Sequence, residues 1–153
     1  MLEFKLIYGN NGYEAAKEIR NAVFCDEQGF SYDRDEHDEN AWHIVGYEKD
    51  RLIAAARLYK EKEGVFSIGR VCVDREYRKM YIGDTLLRAL EDKAVGLMGY
   101  LIKISAQENA VGFYEKEGYK KIDDGYPEDG KTHFAMEKDL TKPFKRCECC
   151  GRK

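Results

Sequence analysis

Residues 71–97 run from an apolar strand, VCV, through the polar and cationic stretch DREYRKMY into a long amphipathic helix. This succession constrains the fold more than any other part of the chain. Ile82, Leu86, Leu87, Leu90, Ala94 and Leu97 recur at three- and four-residue steps, so one face of the helix is apolar and must be buried. The surface that buries it is the sheet to which the preceding strand belongs. The turn between strand and helix has a chemistry of its own. The first N–H groups of a helix have no partner within it, and they face outward at the positive end of the helix dipole. Such a junction suits a phosphate group, with Gly83 allowing close approach and Arg78 and Lys79 adding positive charge.

The rest of the chain alternates in the same manner. Leu2–Tyr8 reads as a first strand, and Asn10-Asn11-Gly12 breaks it and supplies a helix start. Ala15, Ala16, Ile19, Ala22 and Val23 mark one face of a helix over residues 13–24. Residues 43–48 and 52–60 form a hairpin about Lys49-Asp50, and Val65–Val73 is the strand that enters the turn. After the long helix come a strand over 100–105 and a short helix over 110–117, stopped by Gly118. Two last strands, 119–122 and 132–137, are joined by the turn-rich DDGYPEDG. The expected class is α/β: a single domain over residues 1–140 with a mixed central sheet and flanking helices, then a basic, Cys-rich tail over residues 141–153.

A chain of 153 residues, 43% of them apolar, can bury a core without disulfide staples. A net charge of -3 offers no basic field for duplex nucleic acid, so nucleic acid is not an expected partner. The first residues are strand-like rather than a leader with an apolar core, and no run approaches the roughly 20 apolar residues that span a bilayer. Five cysteines, three of them crowded at the end, do not resemble the framework of a secreted domain. A cytoplasmic location without a membrane partner is the expectation.

A second motif follows the long helix: residues 109–119, NAVGFYEKEGY. Together with the turn it resembles the paired signatures of the GNAT N-acetyltransferase family. That family's pyrophosphate turn reads Gln/Arg-x-x-Gly-x-Gly/Ala, and its later helix carries Asn followed by Phe-Tyr-x-x-x-Gly-Tyr/Phe. Arg78 and Gly83 fill the outer positions of the first, and Asn109, Phe113, Tyr114, Gly118 and Tyr119 match the second. Tyr81 stands where the family's first glycine is usual, and Lys79 where another is frequent. The resemblance covers residue 1 to about residue 140. It implies a GNAT-like acyl-CoA N-acyltransferase fold and acetyl transfer from acetyl-CoA, as cosubstrate, to a primary amine.

The resemblance also implies a site. Val71, Cys72 and Val73 would part from residues 103–105 around the pantetheine, with an N–H near Cys72 or Val73 polarising the thioester carbonyl. Arg78, Lys79, Met80, Tyr81, Ile82, Gly83 and Asp84 would hold the pyrophosphate, and Asn109 and Phe113 would line the other wall. Tyr114 matches the family's general acid: a phenol with an unperturbed pKa of about 10 is protonated at neutral pH and can donate to the leaving sulfur. The base stays open. Relatives often carry a carboxylate on the strand entering the turn, and Val65–Val73 has none. His43 is the first candidate, beside His133 and a carboxylate within residues 33–39; a water relay or a neutral amine needs no base at all. A covalent route through Cys72 would require an activating neighbour, and the sequence shows none.

Residues 26–39 hold seven carboxylates against the single cation Arg34. As an exposed loop at the substrate end they point to a small cationic amine as acceptor; as a plain solvated loop they have no such role. Cys147, Cys149 and Cys150 suffice for three ligands of a Zn²⁺ ion if a fourth comes from elsewhere, and otherwise belong to a loose tail. The leading function is a small-molecule N-acetyltransferase. A non-catalytic acyl-CoA sensor or assembly protein, and a protein or RNA N-acetyltransferase docking through the tail, are the alternatives. A homodimer is compatible with each.

Overall fold

The Lys49-Asp50 turn closes a hairpin between β2 (Ala41–Glu48) and β3 (Arg51–Lys62), with Lys49 in left-handed backbone at φ 57°. A sheet grows from both sides of this hairpin in the computed structural model, which describes residues 1–31 and 33–142. β1 (Leu2–Tyr8) pairs antiparallel with β2, and β4 (Val65–Val73) antiparallel with β3. β5 (Leu101–Gln107) joins β4 in parallel, after the crossover helix α2 (Ile82–Gly96). β8 (Lys131–Asp139) pairs antiparallel with β5 and carries the short strands β6 (Lys120–Lys121) and β7 (Tyr126–Glu128). The spatial order is β1-β2-β3-β4-β5-β8-β6, with β7 paired to β8. The expected mixed sheet is therefore present, and the stretch DDGYPEDG supplies a strand that its turn residues conceal.

The alternation of strand residues divides the core between the two faces of the sheet. Val45, Ala55 and Cys72 pack with Ala16, Ile19 and Val23, under α1 (Asn10–Arg20). Their neighbours Ile44, Ala54 and Ala56 pack with Leu86, Leu87, Leu90 and Ala94 of α2 and with Tyr114 of α3 (Val111–Lys116). Covered on both faces, β3 is apolar without alternation over Ile53–Ala56, as a central strand requires. Leu97, expected on the buried face of the helix, lies past its end and is exposed.

The first helix differs from its expected span. It is capped by Gly9 at φ 79° and ends at Arg20, and a π-helical turn over Asn21–Glu27 follows. Gly12 is a close-packing residue rather than a breaker: a Cβ there would lie 2.3 Å from the Ile7 carbonyl oxygen and 2.6 Å from the His43 ring. Such insertions of the wider helical form are rare and recur at functional sites.

The largest correction concerns the acidic segment. It is not a solvated loop, for Asp33 and Asp38 are buried and Asp35 is half-buried. Arg20 holds Asp33 through Nε at 2.5 Å and Asp38 through a second nitrogen at 2.7 Å. Arg57 grips Asp35 with two bonds of 2.6 and 2.7 Å and reaches Asp38 at 2.9 Å. Arg70 donates to the Asp33 carbonyl at 2.8 Å and to the Asp35 carboxylate at 3.1 Å. Burial works against ionised Asp38, yet Arg20, the Asp35 N–H and Arg57 together hold its carboxyl far below the usual range. Asp35 is likewise lowered by Arg57 and Arg70 against the opposing effect of burial.

Both carboxyls are depressed on folding, so their contribution to stability is complete above about pH 4 and is lost as pH falls through their folded values. Asp38→Ala should destabilise the protein by about 3 kcal/mol in urea unfolding at neutral pH, since it removes one carboxylate partner from each of two buried guanidiniums. In Asp38→Asn the loss of stability between pH 4 and 2 should be shallower than in the parent.

Candidate active site

β4 and β5 pair over only three positions, Val65 with Leu101, Phe66 with Ile102 and Ser67 with Lys103, and then part. The cause is legible in β4. Its register against β3 slips so that Ala56 faces two residues, Arg70 and Val71, and Arg70 takes left-handed backbone at φ 52°. A bulge of this kind bends and twists its strand away from the neighbour. Beyond Ser67 no other described strand pairs with the β5-facing edge of β4. Alternate N–H and C=O groups there lie open to an extended ligand.

A cleft of about 590 Å³ fills the gap. Ile68–Val71 form one wall and residues 103–107 the other; Asn109, Ala110 and Tyr114 lie on the α3 side, and Phe24, Gln28 and Phe30 come from the end of the π turn. Gln107 donates to the Gln28 side chain at 2.8 Å and so ties β5 to that turn. Among the sequence-selected residues the cleft thus gathers Val71, Asn109, Tyr114 and His133. Cys72 points to the other face, into the core beneath α1, and burial pushes its thiol up to about 12, which removes it as a nucleophile. Tyr114 is buried, and burial raises its phenol pKa, with Cys72 adding to the effect. It is a neutral hydroxyl at any pH near 7.

The turn before α2 keeps its shape without the usual glycines. Lys79 and Tyr81 both adopt left-handed backbone, at φ 66° and 61°, where a glycine would sit without strain. The Tyr81 side chain makes no capping bond to this 15-residue helix, and Met80 and Tyr81 are exposed at its start. Gly83 is needed for a second reason. A Cβ there would lie 3.0 Å from the Phe113 ring, so the two matched motifs are in contact through this glycine. Arg78 is no loose cation. It forms a bidentate pair with Glu27 at 2.7 and 2.8 Å and donates Nε to the Val73 carbonyl at 2.8 Å, so it braces the turn against the π-helical segment.

His43 does not reach the cleft. It is fully buried under Gly12, and its Nε2 donates to the Asp38 carbonyl at 2.9 Å. Burial lowers its pKa, with Arg20 and Arg57 working in the same direction, so it is a neutral core residue and not a base. Asp33 and Asp35 line the cleft but are committed to Arg20, Arg57 and Arg70. Cys147, Cys149 and Cys150 lie outside the described residues, and among those described no cluster of His, Cys, Asp or Glu is placed to hold a metal ion. No described helix is long and apolar enough to cross a membrane.

Sequence reasoning missed Gln28, Gln107, Tyr126 and Glu128, which lie in or beside the cleft. The last two belong to the segment read as a plain turn. Arg57 and Arg70 did leave a signal: each is a cation inside an otherwise apolar strand, and a charge so placed requires a buried partner.

Comparison with known proteins agrees with this geometry. An acetyltransferase (GNAT) domain matches residues 10–140. The chain is 32% identical over 126 residues to the uncharacterized N-acetyltransferase YjcF of Bacillus subtilis, covering 79% of this chain and 88% of that one. The crystal structure of Escherichia coli ElaA is similar at a TM-score of 0.81 with 28% identity, covering 91% of this chain and all (100%) of ElaA. An acyl-CoA N-acyltransferase from Pseudomonas aeruginosa is similar at 0.79 with 25% identity, covering 90% and 99%.

The left-handed turn makes a discriminating prediction. Tyr81→Gly should leave thermal stability within about 1 kcal/mol of the parent, because relief of the backbone offsets the added freedom of the unfolded chain. Tyr81→Val should destabilise by about 1–2 kcal/mol, since a β-branched residue resists that conformation. Equal melting temperatures for the two variants would show that the turn carries no such constraint.

Proposed function

Because the chain belongs to the GNAT family of acetyltransferases, we propose that it moves an acetyl group from acetyl-CoA to the primary amine of a small cationic acceptor by direct attack, with Tyr114 as general acid. Its class is that of an acyltransferase, and acetyl-CoA is the family's cosubstrate. The observation that carries the finer reading is the position of Tyr114: a buried, protonated phenol in the cleft where β4 presents an unpaired edge.

The residues present fit the coenzyme. The open edge of β4 beyond Ser67 offers main-chain groups to the pantetheine amides, as an added strand would use them. An N–H of this edge near Cys72 or Val73 would polarise the thioester carbonyl and stabilise the oxyanion of the tetrahedral intermediate. The start of α2, with the left-handed Lys79 and Tyr81 before it, suits the pyrophosphate, and Asn109 and Phe113 flank the path between. Arg78 would position that turn through Glu27 and Val73 rather than bind phosphate by itself. Tyr81 leaves the turn intact, so the sequence motive for a non-catalytic sensor is weakened.

A cationic acceptor retains support from a different set of carboxylates. Glu36, Glu61, Glu128 and Asp129 line the cleft together with the cation Lys103, while the buried aspartates are matched by arginines. The thiols of Cys25 and Cys72 are free, which suits a reducing, cytoplasmic setting.

Tyr114→Phe should lower kcat by about 10²-fold or more while the Kd for acetyl-CoA, measured by calorimetry, changes little. An unchanged kcat would remove the acid role from Tyr114.

A further inference from the structure

The geometry points to His133 as the general base that takes the proton from the acceptor ammonium, with Glu128 stabilising the imidazolium so formed; this inference rests on the acetyl-transfer reading above. His133 lies on β8 opposite Gln107 at the open end of β5, and it lines the same cleft as Tyr114 while only 4% exposed. Its tautomer follows from its partner. Nδ1 is 3.0 Å from the Lys131 carbonyl, which can only accept, so Nδ1 carries the hydrogen and Nε2 of the neutral ring holds the lone pair. Nε2 is 3.9 Å from the Glu128 carboxylate. The Tyr126 ring lies beside that of His133, 6.1 Å away between ring centres, and the Tyr126 hydroxyl is hydrogen-bonded to Ser105.

The charged and titratable groups around the ring come from several elements. Glu128 and Tyr126 belong to β7, Asp129 and Lys131 to the turn and the start of β8, Lys103 to β5 and Tyr114 to α3. The Lys131 ammonium lies over the Phe30 ring, 5.6 Å from its centre. The carboxylates Glu128 and Asp129 line the same cleft as the base.

The step balances as follows. The R–NH₃⁺ group gives one proton to His133 Nε2, and the resulting amine attacks the thioester carbonyl carbon to form a C–N bond. As the tetrahedral intermediate collapses, the C–S bond breaks and the thiolate takes the Tyr114 proton. The tyrosinate recovers a proton from the nitrogen of the new amide, and the proton on His133 leaves to solvent. The products are R–NH–acetyl, free coenzyme A thiol and one proton.

The test is the pH dependence of kcat/KM for the full chain with acetyl-CoA and a panel of primary amines, together with the Kd for acetyl-CoA. The parent should show an acidic limb set by one group. His133→Gln should lose that limb, with kcat/KM reduced about 10²-fold at neutral pH and rising only as the acceptor itself deprotonates. Glu128→Gln, a change at an exposed side chain, should lower kcat/KM for cationic amines while the Kd for acetyl-CoA is unchanged, because it removes the carboxylate 3.9 Å from the His133 ring. A His133→Gln variant that keeps the limb, or loses less than threefold in rate, overturns the assignment of the base, as does an unchanged kcat/KM in Glu128→Gln. Acetyl-CoA binding without turnover of any amine by the parent would overturn the acetyl-transfer reading as well.

Discussion

Arg70 is the residue on which the cleft depends. As the extra residue of the bulge it bends β4 away from β5, and its guanidinium holds the Asp33 carbonyl and the Asp35 carboxylate. The same side chain thus opens the gap in the sheet and fastens the acidic segment along its rim. Arg20 and Arg57 complete the arrangement by anchoring that segment to α1 and β3. A buried network of this kind contributes specificity of shape more than raw stability, since each charge has lost water that its partners must replace. Here the shape it specifies is one end of a binding site.

The electrostatics of the site follow from this division. Asp35 and Asp38 are matched by guanidiniums and held ionised, whereas Glu36, Glu61, Glu128 and Asp129 line the cleft outside that network. At the other end of the cleft, burial keeps Tyr114 a neutral donor. A buried phenol and the His133 imidazole thus line the same cleft. The turn before α2 is separate from both and is braced by the Arg78–Glu27 pair.

Much of this was legible in the sequence because it rests on local pattern. Leu2–Tyr8 and Val65–Val73 are strands over the residues their composition indicates, and α2 begins at Ile82 as its apolar period requires. The two motifs lead to the turn and to Tyr114 because each is a contiguous stretch. What could not be read depends on contacts distant in sequence. Whether Asp33 and Asp38 are solvated or buried is decided by Arg20 and Arg57, and no local rule pairs them. His43 and His133 look equivalent as strand residues, yet one lies beneath Gly12 and the other faces the cleft. Lys79 and Tyr81 occupy left-handed backbone that glycine adopts freely, at a cost of about 1–2 kcal/mol per residue that composition alone does not reveal.

The central claim is that acetyl-CoA lies along the unpaired edge of β4 with its phosphates at the start of α2. Amide hydrogen exchange with and without acetyl-CoA tests it most directly. The account predicts slowed exchange concentrated in residues 68–73 and 78–84, with β1 and β2 unchanged. Binding that leaves both segments exchanging at their original rates, or that protects the chain elsewhere, would contradict it.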